Sequence, residues 1–166
     1  MRSVFALFSE FDKAKGVVSS LLNRDISIKE INAVVQNAKA RLNLDIKHPE
    51  LKAEVSSYPG KTSLEGLERL LTGIRPVNTQ DTGTILAAGV AGSILGKAAQ
   101  ISADKNTNSL QRALVSFGFP QRTAALYREN IATGQIMLWI RSPDRRVPEI
   151  VNVINDYEGH DIITIQ

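Results

Sequence analysis

The chain has 166 residues, of which 43% are apolar and 22% charged, and its 20 basic and 17 acidic residues give a net charge of +3. These values are typical of one globular domain with a sizeable core, and they exclude wholesale disorder. So small a net charge does not favour nucleic-acid binding, although the pI is near 9.3. Because the chain has no cysteine, a disulfide framework, a thiolate nucleophile and a cysteine-based metal site are excluded.

The first residues do not have the pattern of a secretory signal. The apolar run VFALF is short and is followed by Glu10 and Asp12. The sequence also has no stretch of about 18 uninterrupted apolar residues, which a spanning helix needs. We therefore expect a cytoplasmic protein.

The first third of the chain predicts a βαβ unit. Residues 3–8 form a strand, Ser9 caps a helix, and residues 31–35 form a second strand. The helix has one apolar stripe with the i, i+3, i+4, i+7 spacing of a buried face, formed by Ala14, Val17, Val18 and Leu21.

The last third predicts a second βαβ unit. It begins with the strand QIMLWIR at residues 135–141, where Ile136, Leu138 and Ile140 alternate with Met137 and Trp139. A strand that is apolar on both faces is typical of the middle of a sheet covered on both sides. Ser142-Pro143 then opens a helix, and residues 161–165 form the final strand.

Together the two units predict an α+β fold with a ferredoxin-like βαβ-βαβ core, in which both helices lie on one face of a four-stranded antiparallel sheet. The whole chain, 1–166, is a single domain with core halves 1–37 and 134–166. A long insertion, 38–133, separates these halves. We expect the insertion to be helical and rich in glycine and alanine, and to cover the other face of the sheet.

The most unusual part of the insertion is TGTILAAGVAGSILGKAAQISA, residues 82–103. On a helix, small residues spaced by four would form a ridge without bulk that lets another backbone approach closely. Since glycine destabilises a helix by up to about 1 kcal/mol per site, GTILAAG fits equally a short strand followed by a helix from near Val90. Both interpretations stay open. The candidate packing or interface residues are Thr84, Ala88, Gly89, Gly92 and Gly96 here, with Trp139 in the last third.

No catalytic, metal-binding or cofactor-binding constellation is evident. His48 and His160 are the only histidines, and they lack the spacing of metal ligands. The glycines do not match G-x-G-x-x-G, and Gly96-Lys97 is not followed by the Ser or Thr of a phosphate-binding loop. We therefore expect no enzyme activity, metal or cofactor.

Two weaker binding signals remain. Arg141, Arg145 and Arg146 gather at a strand-to-helix junction and are candidate anion contacts, although a solvated turn is the favoured interpretation. QIMLWIR has a single aromatic residue and lacks the pattern of an RNA-binding sheet, so we expect no nucleic-acid partner.

The run AALYRENIATGQIMLWIRSPD, after a Gly-Phe-Pro break, resembles the bacterial general stress protein family of the heat-induced, seventeen-M-like type. SVFALFSEFDKAKGVVSSLL is similar to the opening strand and helix of that family. The resemblance implies association with stress and no established catalytic residues, and it makes Tyr127 a packing residue with its hydroxyl at the rim. The family pattern falls on Leu110, Leu114, Gly118, Pro120, Ala124, Tyr127, Ile131, Gly134 and residues 137–140.

The leading hypothesis is therefore a non-enzymatic, stress-associated protein that acts by self-association, as a homo-oligomer, or by binding a protein partner. One alternative is a small-ligand-binding regulatory domain of ferredoxin-like fold, with its ligand between insertion and sheet. Another, less favoured, is peripheral membrane association through residues 82–95.

Overall fold

The computed structural model describes residues 1–36, 38–39, 66–71, 77–79, 82–89 and 110–166. The strands are β1 (Arg2–Phe8), β2 (Ile31–Gln36), β3 (Val77–Thr79), β4 (Gly83–Ala88), β5 (Ile136–Ser142) and β6 (His160–Ile165). The helices are α1 (Phe11–Asn23), α2 (Leu67–Leu71), α3 (Leu110–Ser116), α4 (Gln121–Ala132) and α5 (Val147–Asp156), and 3₁₀ turns span Ile28–Glu30 and Asp144–Arg146.

The strands form one six-stranded sheet in the order β3-β4-β2-β5-β1-β6, and every neighbouring pair is antiparallel. The α+β class is confirmed, but the prediction of four strands is wrong. The two additional strands, β3 and β4, come from the range assigned to the insertion and extend the sheet beyond β2. Val34 of β2 lies opposite Ala87 of β4 in this added pair.

Both predicted strand-helix-strand units are present. The apolar stripe of α1 is fully buried, because its spacing matches the helical period. Two helix starts differ from the prediction. The N-cap of α1 is Glu10 rather than Ser9, without a capping side chain, and α5 begins at Val147 because a 3₁₀ turn follows Pro143.

The alternation along β5 divides the core into two layers. We call the first face the side of the sheet that carries Ile136, Leu138 and Ile140; it packs against α1, α2 and α5. The second face carries Met137 and Trp139 and packs against α3 and α4. The predicted two-sided burial of this strand is confirmed, and α3 and α4 supply the cover on the second face.

The strand interpretation of GTILAAG is correct, and a continuous helix through these residues is wrong. The helix predicted from near Val90 lies outside the described residues. In β4, Leu86 and Ala88 are buried on the first face, while Ile85 and Ala87 are buried on the second. Thr84 lies on the same side as Leu86, since alternate residues of a strand share a face. Small side chains satisfy the strand period of two as readily as the helical spacing of four, which explains the ambiguity. Gly92, Gly96 and His48 lie outside the described residues.

Within the part of the chain that the structure describes, no helix combines the length and the apolar character needed to cross a membrane.

Candidate functional site

Trp139 belongs to an aromatic cluster on the second face of the sheet. Its ring stacks on that of Phe5, its cross-strand partner, with centroids 5.3 Å apart. Phe117, just after α3, covers it at 5.1 Å. Only 5% of Trp139 is exposed, and its buried Nε1 has no hydrogen-bond partner in the described part of the chain. This candidate interface residue therefore packs inside its own chain.

Gly89 also makes an internal contact. It follows β4 with φ of +79°, and a Cβ there would collide with Oδ1 of Asn32 and lie 3.1 Å from the carbonyl oxygen of Ile31. Asn32 is fully buried, and its Nδ2 donates a hydrogen bond to the carbonyl oxygen of Trp139 at 3.2 Å. Sequence reasoning missed Asn32, although a polar residue within the apolar run INAVV was a usable signal.

A cavity of about 270 Å³ lies where β5 ends and the 3₁₀ turn before β2 begins. Of the three arginines predicted as anion contacts, Arg141 and Arg146 line this cavity, whereas Arg145 is exposed and does not. The lining residues are Met1, Asp25, Ile26, Ser27, Glu30, Arg141, Ser142, Pro143 and Arg146. The structure thus brings together two of the three predicted arginines, and adds acidic groups that sequence reasoning did not connect with them.

The guanidinium of Arg146 is already engaged within the chain. Its Nε donates to Oε2 of Glu149 at 3.1 Å, and its Nη2 donates to the carbonyl oxygen of Arg24 at 2.5 Å. The hydrogen bond from Arg146, together with the charges of Arg146 and Arg24, holds the pKa of Glu149 below its usual value. Arg146 therefore fixes the start of α5 against the end of α1.

The outer edge of β6 is the second feature that a partner could use. β1 pairs with one side of β6, and no described strand lies beyond the other side. The pairing is irregular between Phe5 and Leu7 and regular from Ile163 to Ile165. β6 contains no lysine, arginine or proline, the residues with which proteins commonly protect an exposed edge.

Tyr127, Glu129 and His160, which carry polar or titratable groups, each contact another residue of the chain. Tyr127 is fully buried, with its hydroxyl bonded to the carbonyl oxygen of Asp161. Glu129 is largely exposed and lies 3.5 Å from Nη2 of Arg128. Nδ1 of His160 is 2.6 Å from Oδ2 of Asp161. Within the described residues no group of three or more His, Cys, Asp or Glu side chains could hold a metal ion.

No family model, curated protein or solved structure matches this chain at a significant level. The resemblance to the general stress proteins therefore stays a prediction from the residues themselves.

Proposed function

We propose that this protein is a non-enzymatic, stress-associated protein that self-associates by pairing β6 with β6 of a second copy. The observation that carries the proposal is the outer edge of β6, beyond which no strand of the described residues lies. Alternate residues of an edge strand direct their N–H and C=O groups outward, where they can bind another strand. Addition of a strand to such an edge is a common mode of protein recognition.

The side chains of β6 suit contact with another protein. Ile162 packs partly against the core on the first face, and Ile163 and Ile165 do so on the second. All three are only half-buried. A second strand along this edge would remove more of their apolar surface from water, which favours association. The other edge strand, β3, has only three residues, and a short edge is a poor template for pairing.

A second copy in antiparallel orientation fits the charges of β6. With the two-fold axis at Ile163, each Ile163 faces its counterpart, Ile162 faces Thr164, and Asp161 faces Ile165. The two Asp161 residues are then separated by four residues along the strand, or about 13 Å, which exceeds the screening length at physiological salt. Parallel pairing in register would place the two carboxylates side by side, where like charges are destabilising.

The finer fold assignment and the biological context are part of the same proposal. The order β2-β5-β1-β6, with α1 and α5 on one face, supports a ferredoxin-like core to which β3 and β4 are added. Association with stress rests on the resemblance of the segment around Tyr127 and of the N-terminal strand and helix. Location in the cytoplasm, as predicted from the sequence, is part of the same proposal.

Size-exclusion chromatography with light scattering tests the self-association. We expect a mass twice the 18.2 kDa of one chain. Thr164→Lys places a positive charge at an exposed position of β6. In the proposed dimer the two introduced lysines lie near each other across the two-fold axis. This variant should be monomeric and should still unfold cooperatively, with a melting temperature lowered only by the loss of the dimer.

Asn23→Lys is the matched control, because it adds the same charge at an exposed position at the end of α1; it should stay dimeric. A parent protein that is monomeric at every concentration would contradict self-association. A Thr164→Lys variant that remains dimeric would show that the copies do not meet through β6.

A further inference from the structure

Pairing between two β6 strands is small for a stable contact between copies. It joins residues 161–165 of each copy, whereas a specific interface commonly involves about 20–30 residues on each side. A stable dimer through this edge therefore needs a second contact surface close to β6.

Among the described helices of the first face, α5 lies nearest to the outer edge of β6. It packs on β1 and β6, whereas α1 packs on β1 and β5. Arg24, which follows α1, donates a hydrogen bond to Oε1 of Glu149 in α5. The side of α5 that carries Glu149 therefore faces α1. The opposite flank of α5 faces the edge beyond which a second copy would lie.

Two valines occupy this opposite flank of α5. With 3.6 residues per turn, Val147 and Val151 both lie about 160° around the helix from Glu149. Both are half-buried and pack partly against the core of the first face. Ile162 of β6 is also half-buried on this face. The two acidic residues of α5, Glu149 and Asp156, lie on the side towards α1, so the flank is apolar and uncharged.

The spacing of the sheet would bring the two α5 helices into contact. The two-fold axis of the β6 pair is perpendicular to the sheet, so the first faces of both copies lie on the same side. Neighbouring strands are about 4.8 Å apart, and a helix centred between β1 and β6 therefore lies about 4.8 Å from this axis. The two α5 axes would be about 10 Å apart, which is within the usual range of about 8–10 Å for packed helices.

We propose, on the basis of the self-association through β6 proposed above, that α5 of each copy packs antiparallel against α5 of the second copy, with Val151 beside the two-fold axis. Only residues 157–159 join α5 to β6, so the helix runs antiparallel to the strand. The middle of α5, at Val151, then lies above the middle of β6, near Ile163. Val147 contacts the second half of the other α5, and this packing removes the remaining surface of both valines from water.

A cysteine cross-link tests the contact directly, because the chain has no cysteine of its own. Val151→Cys gives each copy one thiol beside the axis, and a disulfide forms only when the two Cα atoms come within about 7 Å. With oxidised glutathione, this variant should give a covalent dimer on a denaturing gel without reductant. Asn152→Cys is the matched control, since it is exposed on the same helix and points away from the flank. It should cross-link at least about tenfold more slowly, because its thiols meet only by collision between separate dimers.

Combining these variants with Thr164→Lys separates the α5 contact from the pairing of β6. The fast cross-link of Val151→Cys should disappear in the Thr164→Lys background. If Thr164→Lys dissociates the parent dimer but Val151→Cys cross-links no faster than Asn152→Cys, the α5 contact is overturned and the pairing through β6 stands. A fast cross-link that persists with Thr164→Lys supports the α5 contact and contradicts the pairing through β6. A parent protein that is always monomeric overturns both.

A second variant decides the question if Val151→Cys fails to fold. Val151→Thr replaces one methyl group by a hydroxyl group of similar size, and burying that hydroxyl without a partner is unfavourable. Its two copies in the dimer should raise the Kd of self-association at least about tenfold. Asn152→Thr should leave this Kd unchanged. Equal Kd values for the two threonine variants would overturn the α5 contact.

Discussion

The hydroxyl of Tyr127 donates a hydrogen bond to the carbonyl oxygen of Asp161, 2.5 Å away. This bond connects the middle of α4 to the irregular start of β6, where Asp161 has a φ of 53° and the pairing with β1 loses its register. A bulge leaves backbone groups without their ladder partners. Tyr127 satisfies one of them and holds the first part of β6 against the second face. The hydroxyl was expected at the rim, and it has a specific backbone partner.

Tyr127→Phe should lower the free energy of unfolding by about 1–3 kcal/mol, because it leaves a partly buried carbonyl without a donor. Tyr157→Phe is a suitable control, since Tyr157 also packs against the core and its hydroxyl makes no hydrogen bond to another described residue. It should change the stability by less than about 0.5 kcal/mol. Urea unfolding of the three proteins at pH 7 measures both values. Equal losses for the two variants would mean that the Tyr127 bond contributes nothing specific.

The same residue predicts a dependence on alkaline pH. Burial, and next the negative charge of Asp161, raise the pKa of Tyr127 above its usual value of 10.0. Below pH 10 both the folded and the unfolded chain keep this proton, so Tyr127 adds no pH dependence. Above pH 10 the unfolded chain loses the proton first, and the folded state is destabilised relative to it. The stability advantage of the parent protein over Tyr127→Phe should therefore shrink between pH 10 and pH 11. A constant difference across this range would contradict the raised pKa.

Trp139 gives a spectroscopic prediction, because it is the only tryptophan of the chain. Trp139 is only 5% exposed and its Nε1 has no hydrogen-bond partner among the described residues, so native emission should lie well to the blue of free tryptophan. Phe117→Ala removes the ring that covers it and should shift the emission to the red. Leu126→Ala truncates an exposed side chain on α4 and should leave the spectrum unchanged. An emission maximum at the wavelength of free tryptophan in the parent protein would contradict the covered second face.

The two βαβ units could be predicted because their information is local. The stripe at Ala14 to Leu21 and the alternation of β5 depend on neighbouring residues of the same element. Burial then follows, since each apolar stripe has to face the sheet. The packing role of Tyr127 came instead from the resemblance, and Tyr127 is indeed buried on α4.

The remaining features depend on residues distant in sequence. GTILAA forms a strand because it pairs with the edge of β2. The small residues of this segment do not by themselves specify that pairing. Glu30 and Arg141 line the same cavity because of the register between β2 and β5, which no local pattern fixes. Arg145 and Arg146 are adjacent, yet only Arg146 turns towards Arg24 and Glu149. The different contacts of these two arginines could not be predicted without knowing where α1 lies relative to α5.

Gly89 and Gly83 provide a matched pair for the last prediction. Both have a left-handed φ, of +79° and +70° respectively, so alanine at either position pays a similar backbone cost of about 1–2 kcal/mol. At Gly83 nothing lies within 4 Å of an added Cβ, whereas at Gly89 the Cβ would collide with the side chain of Asn32. Asn32 cannot simply yield, because its amide is bonded to the carbonyl oxygen of Trp139.

Gly89→Ala should therefore be less stable than Gly83→Ala by a further 1–3 kcal/mol or so, the usual cost of overpacking. Thermal and urea unfolding of both variants measure the difference, and the Trp139 emission reports whether the cross-strand contact has moved. Because the cause is an internal collision, this loss of stability should be the same in the Thr164→Lys background. If Gly89→Ala were as stable as Gly83→Ala, the end of β4 would not approach β2 as closely as the structure shows. A Gly89→Ala variant that keeps its stability but changes its oligomeric state would show that Gly89 lies at an interface between copies.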